Sequence, residues 1–179
     1  MTTNHQHPKH SAPSAEPREA HQSTDVAAKA KLNPAVLAVL PTISPFLSKA
    51  QCTALVEGCR GEEGAFFSET IVALALLVTA MPVTYDQEGA GDEAIASLHY
   101  FNAGSDWYIN EKDIDGGVTQ AFGYAVLNGD TENAELGYIS ISELVANGAE
   151  LDLYWMPKSL REIKANDRPT IGQRQGLRP

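Results

Sequence analysis

The sequence predicts an α+β fold, in which N-terminal helices pack on a four- to five-stranded, mostly antiparallel sheet and short helices follow near the C-terminus. Helical spacing and capping residues occur before position 82, whereas alternation of apolar and polar residues begins near position 96. The alternating runs are joined by short segments rich in Asn, Asp and Gly. Short connections favour antiparallel pairing, because parallel neighbours need a crossover of about a dozen residues or more.

Two helices are predicted in the first half of the chain. Ser48 and Gln51 have the spacing of a capping box, and the apolar positions that follow share one helical face until about Gly58. A second helix is expected over 68–80, because this run is almost entirely apolar and Pro82 follows it. The β-branched residues of this run leave a strand as an alternative for part of it.

Five strands are predicted from the alternation that follows. They are expected over 96–101, 106–112, 119–127, 136–141 and 151–156. A short helix is expected over 142–147, ended by Gly148, and Ser159 with Glu162 forms a second capping box that begins a last helix. The predicted order therefore is helices, strands, a short helix, a strand and a final helix.

Composition divides the chain into three parts. Residues 1–31 read as a disordered polar tail that holds four of the five histidines, His5, His7, His10 and His21. Residues 32–165 form a single acidic α+β domain, and residues 166–179 form a flexible basic tail. The sequence shows no signal peptide and no apolar run near the ~20 residues of a bilayer span, so we expect a cytoplasmic protein that does not bind membranes.

The acidic charge is concentrated in the middle of the chain. The net charge is −10, and residues 81–160 contain 14 acidic residues against Lys112 and Lys158. Such a field repels duplex nucleic acid and attracts a basic protein surface. We therefore expect a protein partner with a basic surface, such as a DNA-handling or defence protein. The expected contact residues lie in or beside turns at one presumed end of the strands: Asp113, Asp115, Asp130, Glu132 and Glu135.

Four strand segments carry a resemblance to a known family. They are Leu98-His-Tyr-Phe, Asp106-Trp-Tyr-Ile, Gln120-Ala-Phe-Gly-Tyr and Ala134-Glu-Leu-Gly-Tyr-Ile-Ser-Ile-Ser-Glu-Leu144. Over about residues 97–163 the chain resembles an uncharacterised domain family of small proteins from bacterial plasmids, integrative elements and phages. The resemblance implies an accessory protein of a mobile element, which counters host defence in an antirestriction-like or DNA-mimic-like manner. It supplies no catalytic residues.

Two other function classes stay open. The first is a metal-dependent hydrolase built on sheet carboxylates, with Glu111, Glu135, Asp152 and His99 as its candidates. Glu111 and Glu135 could meet across the sheet, but no second histidine stands at a useful spacing, so solvated carboxylates at the sheet rim are the simpler interpretation. The second is a structural module of a larger complex. The sequence contains no phosphate-binding loop or metal-ligand motif, so we expect no cofactor and no metal.

Overall fold

Five α-helices and two antiparallel sheets make up the part of the chain that the computed structural model describes, residues 1, 2 and 32–167. The predicted α+β class is confirmed. The helices are α1 (Pro34–Ile43), α2 (Lys49–Gly58), α3 (Gly64–Ala80), α4 (Ile141–Ala146) and α5 (Leu160–Asp167). The two predicted tails, including the four N-terminal histidines, fall almost entirely outside the described residues.

The larger sheet has five antiparallel strands in the order β5-β4-β3-β2-β6. Its strands are β2 (Leu98–Asn102), β3 (Ser105–Glu111), β4 (Ala121–Val126), β5 (Glu135–Ile139) and β6 (Glu150–Leu151). A second, two-stranded sheet pairs β1 (Ile95–Ala96) with β7 (Lys158–Ser159). Of the predicted strand 151–156, only Leu151 lies in a strand, so the rest of this prediction is wrong. Asp152 begins a turn instead, and its carboxylate accepts a hydrogen bond from the Tyr154 N–H at 2.9 Å.

Local capping explains where most helices begin. The Ser48 hydroxyl accepts from the Gln51 N–H at 3.1 Å, which confirms the predicted start of α2. At α5, the Glu162 carboxylate accepts from the Ser159 N–H at 3.0 Å, as the second capping box predicts. α3 starts at Gly64, before the predicted position 68, and the strand alternative for this run is wrong because the whole run is helical.

Helix α1 was not predicted from the sequence, and neither was the small sheet of β1 and β7. The Asn33 side chain accepts from the Ala35 N–H at 2.9 Å, and Pro34 occupies the first helical position. An Asn-Pro pair is a recognisable start signal, since proline lacks the N–H that would stay unpaired there. Pro41 lies inside the helix, where proline is disfavoured, so the sequence of this segment does not read as a continuous helix.

The two faces of the larger sheet are covered differently. One face packs on the N-terminal helices, and the buried residues of this helix-side core are mainly Val36, Ile43, Ile71, Leu74, Val78, Leu98, Tyr100, Ile109 and Ile139. The opposite face carries a smaller cluster around Tyr108, Tyr124, Val126, Leu160 and Ile163. We call this second surface the open face, because only α5, the small sheet and the connecting segments lie over it.

A β-bulge changes the alternation at the end of β3. Ile109 lies opposite Gly123, and the next paired residue of β3 is Glu111, which lies opposite Phe122. Asn110 is the extra residue. Directly opposed residues project to the same face of an antiparallel pair, so the bulge turns Glu111 to the face of Phe122. Regular alternation along this strand would put Glu111 on the face of Trp107 and Ile109, so that interpretation of the sequence is wrong.

Candidate functional site

A cavity of about 470 Å³ lies on the open face of the sheet. The sheet contributes Asn110, Phe122, Leu136 and Tyr138, while the segment 84–91 and Leu160 of α5 supply the other walls. This volume falls within the range of ~300–1,000 Å³ that is usual for small-molecule sites. The lining is mostly apolar and aromatic, with a few polar groups, which is the usual composition of such sites.

Three aromatic rings line this cavity. Tyr85 and Tyr138 are both exposed, and their hydroxyl oxygens are 3.0 Å apart. The hydrogen bond with Tyr85 raises the pKa of the Tyr138 hydroxyl above its ordinary value. Phe122 meets Tyr138 edge to face, with ring centroids 5.5 Å apart. The rings thus offer flat apolar surface on the sheet side of the cavity and at its solvent-facing edge.

The wall formed by residues 84–91 is fastened to the sheet by Glu111. One carboxylate oxygen accepts from the Tyr85 N–H at 3.0 Å, and the other accepts from the Gln87 N–H. Glu111 is only 4% exposed, and a buried carboxylate is tolerated when donors of this kind surround it. The predicted rim carboxylate is therefore a buried group that positions the cavity wall.

Gln87 fastens the same wall a second time. Its side-chain nitrogen donates to the Asn110 carbonyl at 2.9 Å and to the Ile95 carbonyl at 3.0 Å. Its side-chain oxygen accepts from the Ile95 N–H at 2.6 Å. One of the carboxamides that line the cavity is therefore hydrogen-bonded through both of its polar atoms.

Asn110 also lines the cavity, but its side chain has no partner. The residue is 2% exposed, and neither Nδ2 nor Oδ1 makes a hydrogen bond. These are the only two buried side-chain polar atoms without a partner among the described residues. A group left in this state costs about 1–3 kcal/mol of folding free energy. Each of these two atoms exposes less than 1 Å² of surface, so an occupant of the cavity does not reach them.

A separate polar centre surrounds His99, also on the open face. Its Nε2 lies 2.9 Å from Asp106 Oδ1, and its Nδ1 lies 3.3 Å from Asp152 Oδ2. The imidazole stacks on the Tyr108 ring, with centroids 4.7 Å apart, and it also contacts the Trp155 ring. The His99 side chain is 13% exposed and is not among the residues that line the cavity.

The predicted enzyme site is assembled only in part. His99 and Asp152 do meet, whereas Glu111 and Glu135 do not, because β4 lies between their strands and they lie opposite different residues, Phe122 and Ala125. The predicted pairing of these two glutamates is therefore wrong. Within residues 32–167, no group of three or more His, Cys, Asp or Glu side chains is arranged to hold a metal ion.

The five acidic residues expected to bind a partner do not share one end of the strands. Asp113 and Asp115 lie in the β3–β4 connection, whereas Asp130 and Glu132 lie in the β4–β5 connection and Glu135 begins β5. Successive connections of an antiparallel sheet lie at opposite ends. The expectation of a common end is therefore wrong.

Three of these carboxylates order their own loops. Asp113 is buried, and its Oδ2 accepts from the Thr119 hydroxyl at 2.7 Å and from the Gln120 N–H at 3.0 Å. The hydrogen bond from Thr119 is the main reason that the pKa of Asp113 is lowered. Asp115 accepts from the Gly117 N–H at 2.9 Å.

Asp130 has the same role in the β4–β5 connection. It accepts from the Asn133 side chain at 2.7 Å and from two backbone N–H groups, and the Asn133 side chain is the main cause of its lowered pKa. Glu132 and Glu135 are exposed. Local turn formation thus accounts for Asp113, Asp115 and Asp130 without a partner.

Sequence reasoning did not find the cavity. Regular alternation along the predicted strand 106–112 puts Asn110 on the same face as Asp106 and Tyr108, and it gives no reason to connect Asn110 with residues 84–91. One available signal was the residue type, because asparagine is disfavoured in strands and follows the apolar Ile109 where the bulge occurs.

Comparison of the chain with protein-family models, with curated proteins and with solved structures gives no match in any of the three. The resemblance described above therefore remains a prediction. The last of the four segments that carry it, 134–144, contributes Leu136 and Tyr138 to the cavity. The described helices include none with the length and apolar character that a bilayer span requires.

Proposed function

We propose that this protein binds a small organic molecule in the cavity between the open face of the sheet and residues 84–91. The observation that supports the proposal best is the cavity itself, which has a volume of about 470 Å³ and is lined mainly by apolar and aromatic side chains with a few polar groups. A concave site of this size and composition is the usual form of a small-molecule binding site.

Binding is favoured over catalysis by the groups that surround the cavity. Its lining residues include no His, Cys, Lys or Arg. Glu111, one of its two carboxylates, is already occupied by two backbone N–H groups. The His99 centre contains a base with two carboxylates, yet it lies outside the cavity and stacks on aromatic rings.

The acidic-surface hypothesis is a separate proposal with weaker support. Its five residues are divided between two ends of the sheet, and Asp113 is buried. A basic protein partner, a mobile-element setting and a cytoplasmic location depend on the charge, the resemblance and the sequence pattern alone. The cavity neither requires nor excludes them.

Backbone amide NMR with small aromatic probes tests the proposal. Indole, phenol, benzamide and 2-pyridone are each titrated into the full chain. We expect chemical-shift changes at the amides of residues 84–91, Phe122, Leu136 and Tyr138. These changes should approach a plateau as the probe concentration rises, which gives a dissociation constant for each probe. Leu136→Trp should fill the cavity and abolish these shifts, since Leu136 is a cavity-lining residue on an edge strand.

Leu127→Trp is the matched control. Leu127 is 52% exposed against 43% for Leu136, and it does not line the cavity. This variant should bind the probes like the wild type. If no probe shifts the cavity amides, or if both tryptophan variants bind equally well, the proposed function is wrong.

A further inference from the structure

We infer that the ligand is an organic cation whose charged nitrogen carries methyl or other alkyl groups rather than N–H bonds, as in a quaternary ammonium, and that the aromatic rings and carboxylates of the cavity recognise it. The inference rests on the proposed function, because it names the ligand class of the same cavity. It adds the sign of the ligand's charge and the kind of group that carries this charge.

The sign of the charge follows first from Glu111, a carboxylate in the cavity wall that has no counter-ion. Glu111 is 4% exposed, and both of its oxygens accept from backbone N–H groups, which stabilise the ionised form. None of the ion pairs among the described residues includes Glu111. The adjacent Lys112 is directed elsewhere, because its Nζ donates to the carbonyls of Val78 and Thr79. Buried charges in proteins are usually paired, so a cation in the cavity would supply the opposite charge that Glu111 lacks.

The negative charge of Glu111 acts at the cavity without direct contact. The pKa of Tyr138 is raised mainly by the hydrogen bond with Tyr85, and the charge of Glu111 adds to this shift. Because Tyr138 lines the cavity, the field of Glu111 reaches a surface that a ligand would contact. A second, exposed carboxylate, that of Glu88, also lines the cavity, and no Lys, Arg or His of the lining offsets the two. Both carboxylates attract a cation and repel an anion.

The three aromatic rings of the cavity favour an organic cation. Tyr85, Phe122 and Tyr138 line it, and the last two pack edge to face with their centroids 5.5 Å apart. The faces of aromatic rings attract cations, and clusters of such rings are the usual sites for quaternary ammonium groups. Leu136 and Leu160 add apolar surface, which suits methyl groups around the charged nitrogen.

The preference for a nitrogen without N–H bonds follows from the acceptors that are already used. Both oxygens of Glu111 and the side-chain oxygen of Gln87 accept from backbone N–H groups. The Tyr85 and Tyr138 hydroxyls bond to each other, so Glu88 is the one lining carboxylate that makes no hydrogen bond within the described residues. A primary ammonium has three donors and is strongly hydrated, so it would leave water for a cavity with few free acceptors. A nitrogen bonded only to carbon has no donors to satisfy.

Matched probes of nearly the same shape test the inference in the full wild-type chain. Choline carries a trimethylammonium group, 3,3-dimethylbutan-1-ol carries an uncharged tert-butyl group in its place, and 3,3-dimethylbutanoate is the corresponding anion. Ethanolamine carries a primary ammonium instead. Each probe is titrated at one ionic strength, set with NaCl, and the amides of residues 84–91, Phe122, Leu136 and Tyr138 are followed by NMR. We expect choline to bind at least about tenfold more tightly than each of the other three.

The charge is located by a pair of glutamate variants. Glu88→Gln should weaken choline binding about two- to fivefold, because an exposed carboxylate beside the ligand is lost, and it should leave binding of the alcohol unchanged. Glu132→Gln removes the same charge at an exposed position that does not line the cavity, so it should change neither affinity. Equal weakening of choline binding by the two variants would overturn the inference.

The contribution of the rings is located by a pair of tyrosine variants. Tyr138→Leu keeps an apolar side chain but removes a ring, so it should reduce the preference for choline over the alcohol. Tyr154→Leu is the matched control, since Tyr154 is 79% exposed and does not line the cavity. It should retain the wild-type preference. The comparison of probes in the wild type decides the question even if a variant folds poorly.

The outcomes separate the inference from the proposed function. If choline and the alcohol bind the wild type equally and both shift the cavity amides, a ligand site exists but the inference is overturned. Binding of the anion or of ethanolamine as tight as that of choline would also overturn it. If no probe of either set shifts the cavity amides, the proposed function fails and the inference fails with it.

Discussion

Two polar groups on the open face of the sheet differ in how their hydrogen bonds are satisfied. His99 lies between Asp106 and Asp152, with a carboxylate near each ring nitrogen, and it stacks on an aromatic ring. Asn110, one strand away, is more deeply buried and has no side-chain partner. The first arrangement is complete within the chain and stabilises the fold. The second is incomplete, because both of its polar atoms are buried without a hydrogen-bond partner.

The largest expected effect is at the satisfied centre. His99→Leu removes a partner from two carboxylates at once and brings them together without an intervening donor. We expect a loss of about 2–3 kcal/mol in the free energy of unfolding, measured by urea denaturation. Phe101→Leu, at an exposed position two residues along the same strand, should change it by less than about 0.5 kcal/mol. If His99→Leu and Phe101→Leu change the free energy of unfolding equally, the hydrogen bonds of His99 do not stabilise the fold as proposed.

The opposite sign is expected at the unsatisfied group. Asn110→Leu replaces two unpartnered buried polar atoms by apolar ones, so the ligand-free protein should gain about 1–2 kcal/mol in the free energy of unfolding. The matched control is Asn102→Leu, which removes the hydrogen bond from Asn102 Nδ2 to the Asn147 carbonyl at 3.1 Å. That variant should lose about 0.5–1.5 kcal/mol. A destabilised Asn110→Leu protein would show that the carboxamide has a structural partner.

Asp113 extends the comparison to a buried carboxylate that is satisfied by its loop. Its pKa is lowered in the folded state, chiefly by the Thr119 hydroxyl, so its stabilising contribution is present above the ordinary carboxyl pKa of about 4. That contribution is lost as the pH falls through the lowered folded-state pKa. We therefore expect Asp113→Asn to lower the unfolding temperature at about pH 6, and we expect its difference from the wild type to shrink as the pH falls below the ordinary carboxyl pKa of about 4.

Thr119→Val is the companion variant for this test. It removes the main cause of the lowered pKa of Asp113, so the unfolding temperature should depend less on pH than in the wild type. The reduction should be smaller than in Asp113→Asn, because the Gln120 N–H still donates to the carboxylate. If the unfolding temperatures of the wild type and Asp113→Asn differ by the same amount at every pH in this range, the lowered pKa of Asp113 in the folded state is contradicted.

The smallest expected effect is beside the cavity. The pKa of Tyr138 is raised mainly by its hydrogen bond with Tyr85, so Tyr85→Phe should lower it towards the ordinary value of about 10. The bond stabilises the fold below that value, and its contribution is lost as the pH rises through the raised pKa. The Tyr138 ring signals in NMR spectra, followed against pH, measure the change. An unchanged titration would show that the two hydroxyls do not interact in solution.

Much of the secondary structure could be predicted because its causes are local. Ser48 with Gln51 and Ser159 with Glu162 bond within one turn, and both pairs begin helices where expected. The antiparallel order of the sheet follows from short connections. The errors also have local reasons: Pro41 concealed α1, and the Asp152 turn ended the last predicted strand early.

The sequence by itself determined the fold class, most helix starts and four of the strands, because capping and alternation act between residues a few positions apart. Only the tertiary structure decided which polar groups are satisfied. Gln87 reaches β3, 23 residues along the chain, and His99 meets Asp152, 53 residues away. Asn110 differs from them because none of the described residues supplies a hydrogen bond to its buried carboxamide. Hydrogen-bond satisfaction of a buried group depends on every element packed around it, and that information is not local.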